Sequence, residues 1–161
     1  MQKHNIDPLY DNNSQILILG SFPSVKSRES GFFYGHPQNR FWRVLSAVFE
    51  NPTPTTIAEK KKFLLSNHIA VWDVLYSCEI SGSADSTIKK TVPNDVEMIL
   101  NNCNIKRIFV NGKTAEKYYK KYLLQTLRRD ATCLPSTSPA NAAWSEELLI
   151  QAWKIIKDDL N

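Results

Sequence analysis

Short blocks of consecutive apolar residues alternate along this chain with longer stretches whose apolar positions recur at helical spacing. Ile16-Leu-Ile-Leu-Gly20, Ile69-Ala-Val-Trp-Asp73 and Lys106-Arg-Ile-Phe-Val110 have the length and β-branched or aromatic content of buried strands. Ala131-Thr-Cys-Leu134 predicts a fourth, shorter one. From Asn39 onward, Phe41, Val44, Leu45, Val48 and Phe49 fall on one face of a helix. Thr56-Ile-Ala-Glu59 is a capping box that opens a second helix, and Asn94-Asp-Val-Glu97 predicts another ahead of Met98, Ile99 and Leu100. A basic helix runs from Lys113 to about Tyr122. Ser138-Pro139 can cap the last helix, where Trp144, Leu148, Leu149, Ala152, Ile155 and Ile156 share a stripe.

Strands separated by helices imply parallel pairing with right-handed crossovers. The expected fold is α/β: a three-layer α/β/α sandwich around a central, mainly parallel four-stranded sheet. It should form one domain over residues 1–161, with residues 1–13 an irregular N-terminal extension. Ligands of such sheets bind beyond the carboxyl ends of the strands. That rule directs attention to four loops, spanning 20–38, 73–91, 111–113 and 135–141.

Composition narrows the chemistry only a little. With 161 residues, 42% of them hydrophobic, the chain can bury a core without disulfides. Its formal charge of +4 permits a nucleic-acid partner without requiring one. Cys78, Cys103 and Cys133 are scattered, as are His4, His36 and His68, so no metal cage, iron–sulfur cluster or disulfide framework is legible. The polar start MQKHNIDPLYDNN is unlike a leader, and no apolar run is long enough to span a bilayer. A soluble, cytoplasmic monomer with no cofactor, metal or membrane partner is expected.

The loops hold the unusual residues. Gly20-Ser-Phe-Pro-Ser24 follows a strand, where backbone N–H groups can hold an oxygen or merely turn the chain. Phe32-Phe-Tyr-Gly-His-Pro-Gln-Asn-Arg-Phe-Trp42 sets three aromatic residues before a helix start; they form either a buried cluster or a platform for a flat ligand. Asn39 there reads as a helix cap by residue preference alone. Val110-Asn-Gly-Lys-Thr114 lacks the upstream glycine of a phosphate-binding loop, since position 107 is arginine, leaving an Asn-Gly turn or an Asn111 amide facing a base. Leu134-Pro-Ser-Thr-Ser-Pro-Ala-Asn141 offers hydroxyls and N–H groups suited to phosphates, or a plain helix cap. The lysines and arginines from Lys113 to Arg129 read most simply as a solvated face.

Taken together and in order, these segments resemble the motifs of the uracil-DNA glycosylase superfamily. Gly20-Ser-Phe-Pro-Ser24 is similar to its first motif, Gly-x-x-Pro. Tyr34-Gly-His-Pro-Gln-Asn-Arg-Phe-Trp42 is similar to the His-Pro-x-Asn-Arg-Phe-Trp segment of the mismatch-specific branch. Leu134–Asn141 looks like the last motif, the loop inserted into the duplex. The hypoxanthine-DNA (deoxyinosine) glycosylase branch matches best, sharing Gly-Ser-Phe-Pro and Leu-Pro-Ser-Thr-Ser-Pro-Ala. The resemblance implies a monofunctional enzyme that removes a deaminated base from DNA, hypoxanthine first and uracil second. Most branches carry Asn, Asp or Glu where this chain has Ser21; the hypoxanthine branch relies instead on the asparagine that Asn39 matches.

On that resemblance, Asn39 positions the attacking water and Asn111 reads a keto edge of the base. Ser21, Phe22, Phe33, Tyr34 and His36 surround the base, with Tyr34 stacking on it. Ser24, Lys26, Ser136, Thr137 and Ser138 grip phosphates, while Pro139 and Ala140 fill the gap left by the extruded nucleotide. Asp73 and Asp85 are candidates for stabilising the sugar cation, Asp85 equally for capping a turn. The rival reading is a non-catalytic nucleic-acid binder of the same fold. A second rival, an α/β hydrolase acting on a small nucleoside or ester, would need a nucleophile elbow such as G-x-S-x-G with a His partner, and neither is present.

Overall fold

The structure is a computed structural model and describes residues 1–3 and 6–160; His4, Asn5 and Asn161 lie outside the described residues. In chain order the elements are β1 (Gln2–Lys3), β2 (Ile16–Gly20), α1 (Val25–Ser30), α2 (Phe41–Phe49), α3 (Ile57–Ser66), β3 (Ile69–Asp73) and β4 (Leu75–Glu79). They continue with β5 (Lys89–Pro93), α4 (Glu97–Asn102), β6 (Arg107–Asn111), α5 (Lys113–Tyr122), α6 (Leu124–Leu127), β7 (Ala131–Leu134) and α7 (Glu146–Trp153). Two 3-10 turns, Asp85–Thr87 and Lys154–Lys157, complete the set.

The main sheet has the order β3-β2-β6-β7, and every pairing in it is parallel. All residues of β2 and β3 are buried. Successive side chains of a strand point to opposite faces, so full burial means that both faces are covered, as in an α/β sandwich. The four expected strands are therefore present. The third sits one residue later than its pattern suggested, which brings Asn111 to the strand's end.

Several local expectations give way to longer-range bonds. Residues 73–91, read as a polar loop, contain β4 and part of β5, which pair antiparallel and join β1 in a second, three-stranded sheet. The N-terminal extension is thus not irregular throughout: it supplies β1, a buried Ile6, and a bridge from Leu9 to Val71. The predicted box at Asn94 does not form. The α4 N-cap is Val96, and buried Asn94 instead donates from Nδ2 to the carbonyls of Asp73 (2.9 Å) and Leu75 (3.1 Å). The last helix starts at Glu146 with Ser145 as its cap, not at Ser138-Pro139. Trp144 and Leu148 are exposed, and Trp153 joins Leu149 and Ile156 in the core. The Thr56–Glu59 capping box, by contrast, forms with both reciprocal bonds.

Candidate active site

Because the main strands are parallel, their carboxyl ends lie along one edge. Gly20 is in register with Asp73, Leu19 with Val110, and Asn111 with Leu134. The segments that follow these ends enclose a cavity of about 530 Å³, within the range of small-molecule sites. Two glycines let its walls close. A methyl placed on Gly20 would overlap the Asp73 carboxylate and lie 3.1 Å from the Tyr34 hydroxyl. Gly112 adopts φ 96°, and a methyl there would meet Ser136 Cβ at 2.9 Å.

Asn39 and Asn111, distant in sequence, meet at one hydroxyl. Asn39 Oδ1 accepts from the Phe41 backbone N–H (2.9 Å) and from Thr137 Oγ1 (2.9 Å). Asn111 Nδ2 donates to Thr137 Oγ1 (3.0 Å), and its Oδ1 accepts from the Thr137 backbone N–H (3.1 Å). Asn39 thus caps the start of α2, although the helix's formal N-cap is Arg40, and it lines the cavity as well. Both lone pairs of its oxygen are taken, so it can hold a water only as a donor. Thr137 is fully buried, which corrects the expectation that it grips a phosphate: its hydroxyl is committed to the two carboxamides.

The loop after β7 is held in shape from within. Ser136 Oγ accepts from the Ser138 N–H and Ser138 Oγ from the Ala140 N–H, each at 3.1 Å, while Pro139 and Ala140 are exposed at its tip. Arg40, not anticipated from sequence, is its clamp. The guanidinium donates to the carbonyls of Ser138 (3.1 Å), Asn141 (3.1 Å) and Trp144, and the Arg40 backbone N–H donates to the Thr137 carbonyl (3.1 Å). The only hint in sequence was that arginine follows Asn39.

The aromatic residues expected at the base all line the cavity. Tyr34 adopts φ 51° and stacks on Phe41 with ring centroids 3.9 Å apart, so one face of the ring is covered. Phe33 and Phe22 are buried, and the Arg28 guanidinium lies 5.3 Å from the Phe22 ring centroid. His36 also lines the cavity and accepts from the Gln38 N–H through Nδ1. Ser21 Oγ donates to Asp85 Oδ1 at 3.2 Å. Ser24 caps α1, its hydroxyl receiving the Ser27 N–H. Lys26 alone among the expected site residues does not line the cavity; it is exposed and 3.8 Å from Glu29.

Asp73, at the carboxyl end of β3, also lines the cavity. Its carboxyl is raised to about 7, first by burial and then by the negative Asp85. Asp73 Oδ2 and the Tyr34 hydroxyl are buried without hydrogen-bond partners among the described residues. Burial and the Asp73 charge push the Tyr34 hydroxyl far above its ordinary value, against a smaller opposing effect of the Asn111 side chain, so it stays protonated. Asp85, on the rim, is also raised by desolvation, against hydrogen bonds from Ser21 and Thr114. The cavity therefore combines amide donors, an aromatic face and a buried carboxyl raised toward neutrality, groups that an acid–base site needs. Among the described residues no group of three or more His, Cys, Asp or Glu side chains is placed to hold a metal ion.

Comparison with known proteins agrees with this geometry. The profile of the Uracil DNA glycosylase superfamily matches residues 8–157. The chain is 36% identical to a protein of Methanosarcina acetivorans named hypoxanthine DNA glycosylase, over 91% of this chain and 92% of that one. It is 32% identical to a protein of the same name from Methanosarcina barkeri, over 88% and 89% of the two chains. A solution NMR structure of a Methanosarcina acetivorans protein superposes with a TM-score of 0.78 at 32% identity, covering 96% of this chain and 98% of that one. With the motifs aligned on one cavity and the match spanning nearly the whole chain, this protein belongs to the uracil DNA glycosylase superfamily.

Proposed function

We propose that this protein is a monofunctional DNA glycosylase that extrudes a deaminated base, hypoxanthine in preference to uracil, and hydrolyses its N-glycosidic bond to leave an abasic site. The observation that carries this reading is the convergence of Asn39 and Asn111 on one cavity of about 530 Å³ through a shared hydroxyl. The names of both Methanosarcina relatives support hypoxanthine as the first substrate.

Chemistry inside a duplex requires the nucleotide to leave the stack, at a cost of a few kcal/mol that is least for a mispaired base. Pro139 and Ala140, at the tip of a loop stiffened by Arg40, would occupy the gap, with Ser24, Lys26, Ser136 and Ser138 near the flanking phosphates. Inside, Tyr34 would stack on the base, a contact worth roughly 1–3 kcal/mol. The C1′–N bond breaks with its electron pair departing on the base, leaving positive charge on the sugar. The amide N–H of Asn111 faces the oxygens and ring nitrogens where negative charge collects, while the Asn39 amide N–H holds the attacking water by donating to it. Ionised Asp73 faces the sugar cation and is the buried acceptor left for a proton of the water that adds at C1′. The oxygen of the water joins C1′, the proton passed to Asp73 is given up to solvent, and the departing base anion takes one proton up, so that one water is consumed and a free base and an abasic deoxyribose result. Among the described residues no lysine lines the cavity, in keeping with hydrolysis rather than a Schiff-base lyase.

The test is a panel of labelled duplexes carrying inosine, uracil or xanthine, incubated with the protein and then treated with alkali. Strand breaks at inosine that depend on alkali are expected, with uracil cleaved more slowly. Breaks without alkali would contradict the monofunctional assignment. Salt-sensitive binding with no abasic product would make the protein a non-catalytic DNA binder.

A further inference from the structure

We propose that Thr137 is the positioning residue of this site: its hydroxyl links the two carboxamides and makes both face the cavity as donors. The inference rests on the glycosylase reading for its kinetic consequence, but the geometry stands apart from it.

The direction of the network follows from groups whose role is fixed. A backbone N–H can only donate, so the atoms that receive Phe41 N–H and Thr137 N–H must be the oxygens of Asn39 and Asn111. The nitrogen of Asn111 then lies against Thr137 Oγ1 and donates to it. The single proton of that hydroxyl is directed to Asn39 Oδ1, 2.9 Å away. Polarity therefore runs one way, from the Asn111 amide through the hydroxyl to the Asn39 carbonyl. Turning either amide over would set an N–H against a backbone N–H. What remains for the cavity is the N–H₂ of Asn39 and the second N–H of Asn111.

Thr137 is suited to this task because all of its polar atoms are engaged and it is fully buried. Its N–H and hydroxyl hold the end of β6, its hydroxyl also holds Asn39, and its carbonyl receives the Arg40 N–H at the start of α2. A residue in the last motif thus spaces two residues that belong to other motifs. Misplacing a catalytic group by about 1 Å can cost 100-fold in rate, so the loss of this link should be visible in chemistry rather than in binding.

The experiment compares Thr137→Val, which keeps shape without the hydroxyl, with Thr137→Ser, which keeps the hydroxyl. Single-turnover cleavage of an inosine duplex should fall about 100-fold for valine and stay within about threefold for serine. Affinity for a duplex containing a non-cleavable abasic analogue should change little in either. Independently of activity, the side-chain amide resonances of Asn39 and Asn111 should both shift and lose protection from exchange in Thr137→Val, and keep their positions in Thr137→Ser. The proposal is overturned if valine cleaves at the wild-type rate, if serine is as defective as valine, or if the valine change leaves the Asn39 amide signals unmoved. Should valine fail to fold, the serine variant decides by the same limits. If the wild-type protein releases no deaminated base, the glycosylase reading fails while the amide signals still judge the link.

Discussion

The two walls of the cavity treat their polar atoms in opposite ways. On the carboxamide wall, Asn39, Asn111 and Thr137 satisfy one another, and the amide orientations are set by backbone N–H groups. On a second wall, at the carboxyl ends of β2 and β3, Asp73 Oδ2 and the Tyr34 hydroxyl are buried with no hydrogen-bond partner among the described residues. An unpaired buried polar group costs about 1–3 kcal/mol, so the second wall is held against its own preference by the fold around it. Asn94 contributes to that, fixing the Asp73 backbone from the neighbouring segment. The contrast separates two jobs: satisfied groups give geometry, and unsatisfied ones keep capacity for a ligand.

The largest effect should come from breaking the satisfied wall. Asn111→Ala and Asn39→Ala should each lower single-turnover release of hypoxanthine by about 10²–10³, the loss typical of one donor facing developing charge. Circular dichroism should show both variants folded. A fully active Asn39→Ala would reduce that residue to a helix cap.

Next comes the unsatisfied wall, where Asp73→Asn should slow cleavage roughly 10-fold or more by the usual contribution of an acid–base group. Wild-type rate should rise with pH through about 7, as Asp73 ionises, and the asparagine variant should lose that rise. Stability should respond in the opposite sense. The folded chain holds a proton up to about pH 7 that the unfolded chain loses near 3.8, so this group's contribution is most favourable in acid and declines across that window. Above it the accumulated cost is up to about 4 kcal/mol, at 1.36 kcal/mol per unit. Asp73→Asn should therefore raise Tm at pH 8 and change it little at pH 4.

Gly20→Ala sharpens the same contrast by pressing a methyl against the Asp73 carboxylate. Overpacking of this kind costs about 1–3 kcal/mol, readable in urea unfolding, and activity should drop with the displaced carboxylate. The smallest effect belongs to Lys26→Ala, outside both walls. Duplex affinity should weaken a few-fold and the salt slope fall by about one unit, with no change in rate at saturation, as for one lost phosphate contact.

Residues whose partners are near in sequence were legible; those completed by distant partners were not. The main strands announce themselves because burial on both faces demands unbroken apolar runs, as in Ile16–Leu19. The Thr56 box formed because its two bonds close within four residues. The second sheet was hidden because β5 is mostly exposed and its Lys89-Lys90-Thr91 has no apolar alternation. Asn94 carries the local signature of a cap but bonds to Asp73 and Leu75, about twenty residues upstream. Thr137 reads as a phosphate-facing hydroxyl in sequence; what its hydroxyl bonds to are Asn39 and Asn111, from two other segments. The site loops could be located from strand ends alone, whereas which of their polar atoms point inward depended on packing that no local pattern records.

Leu9 and Val71 exchange both backbone hydrogen bonds, each at 3.0 Å, along the outer side of β3, and the Trp72 indole donates to the Ile6 carbonyl beside them. A terminal strand of a parallel sheet is otherwise a template on which another chain can polymerise. This short strap acts as a selvedge: it finishes the fabric on that side. Clipping it away would bare the outer backbone groups of β3 at Val71, and greater self-association of the truncated chain, read by light scattering, is the expected outcome.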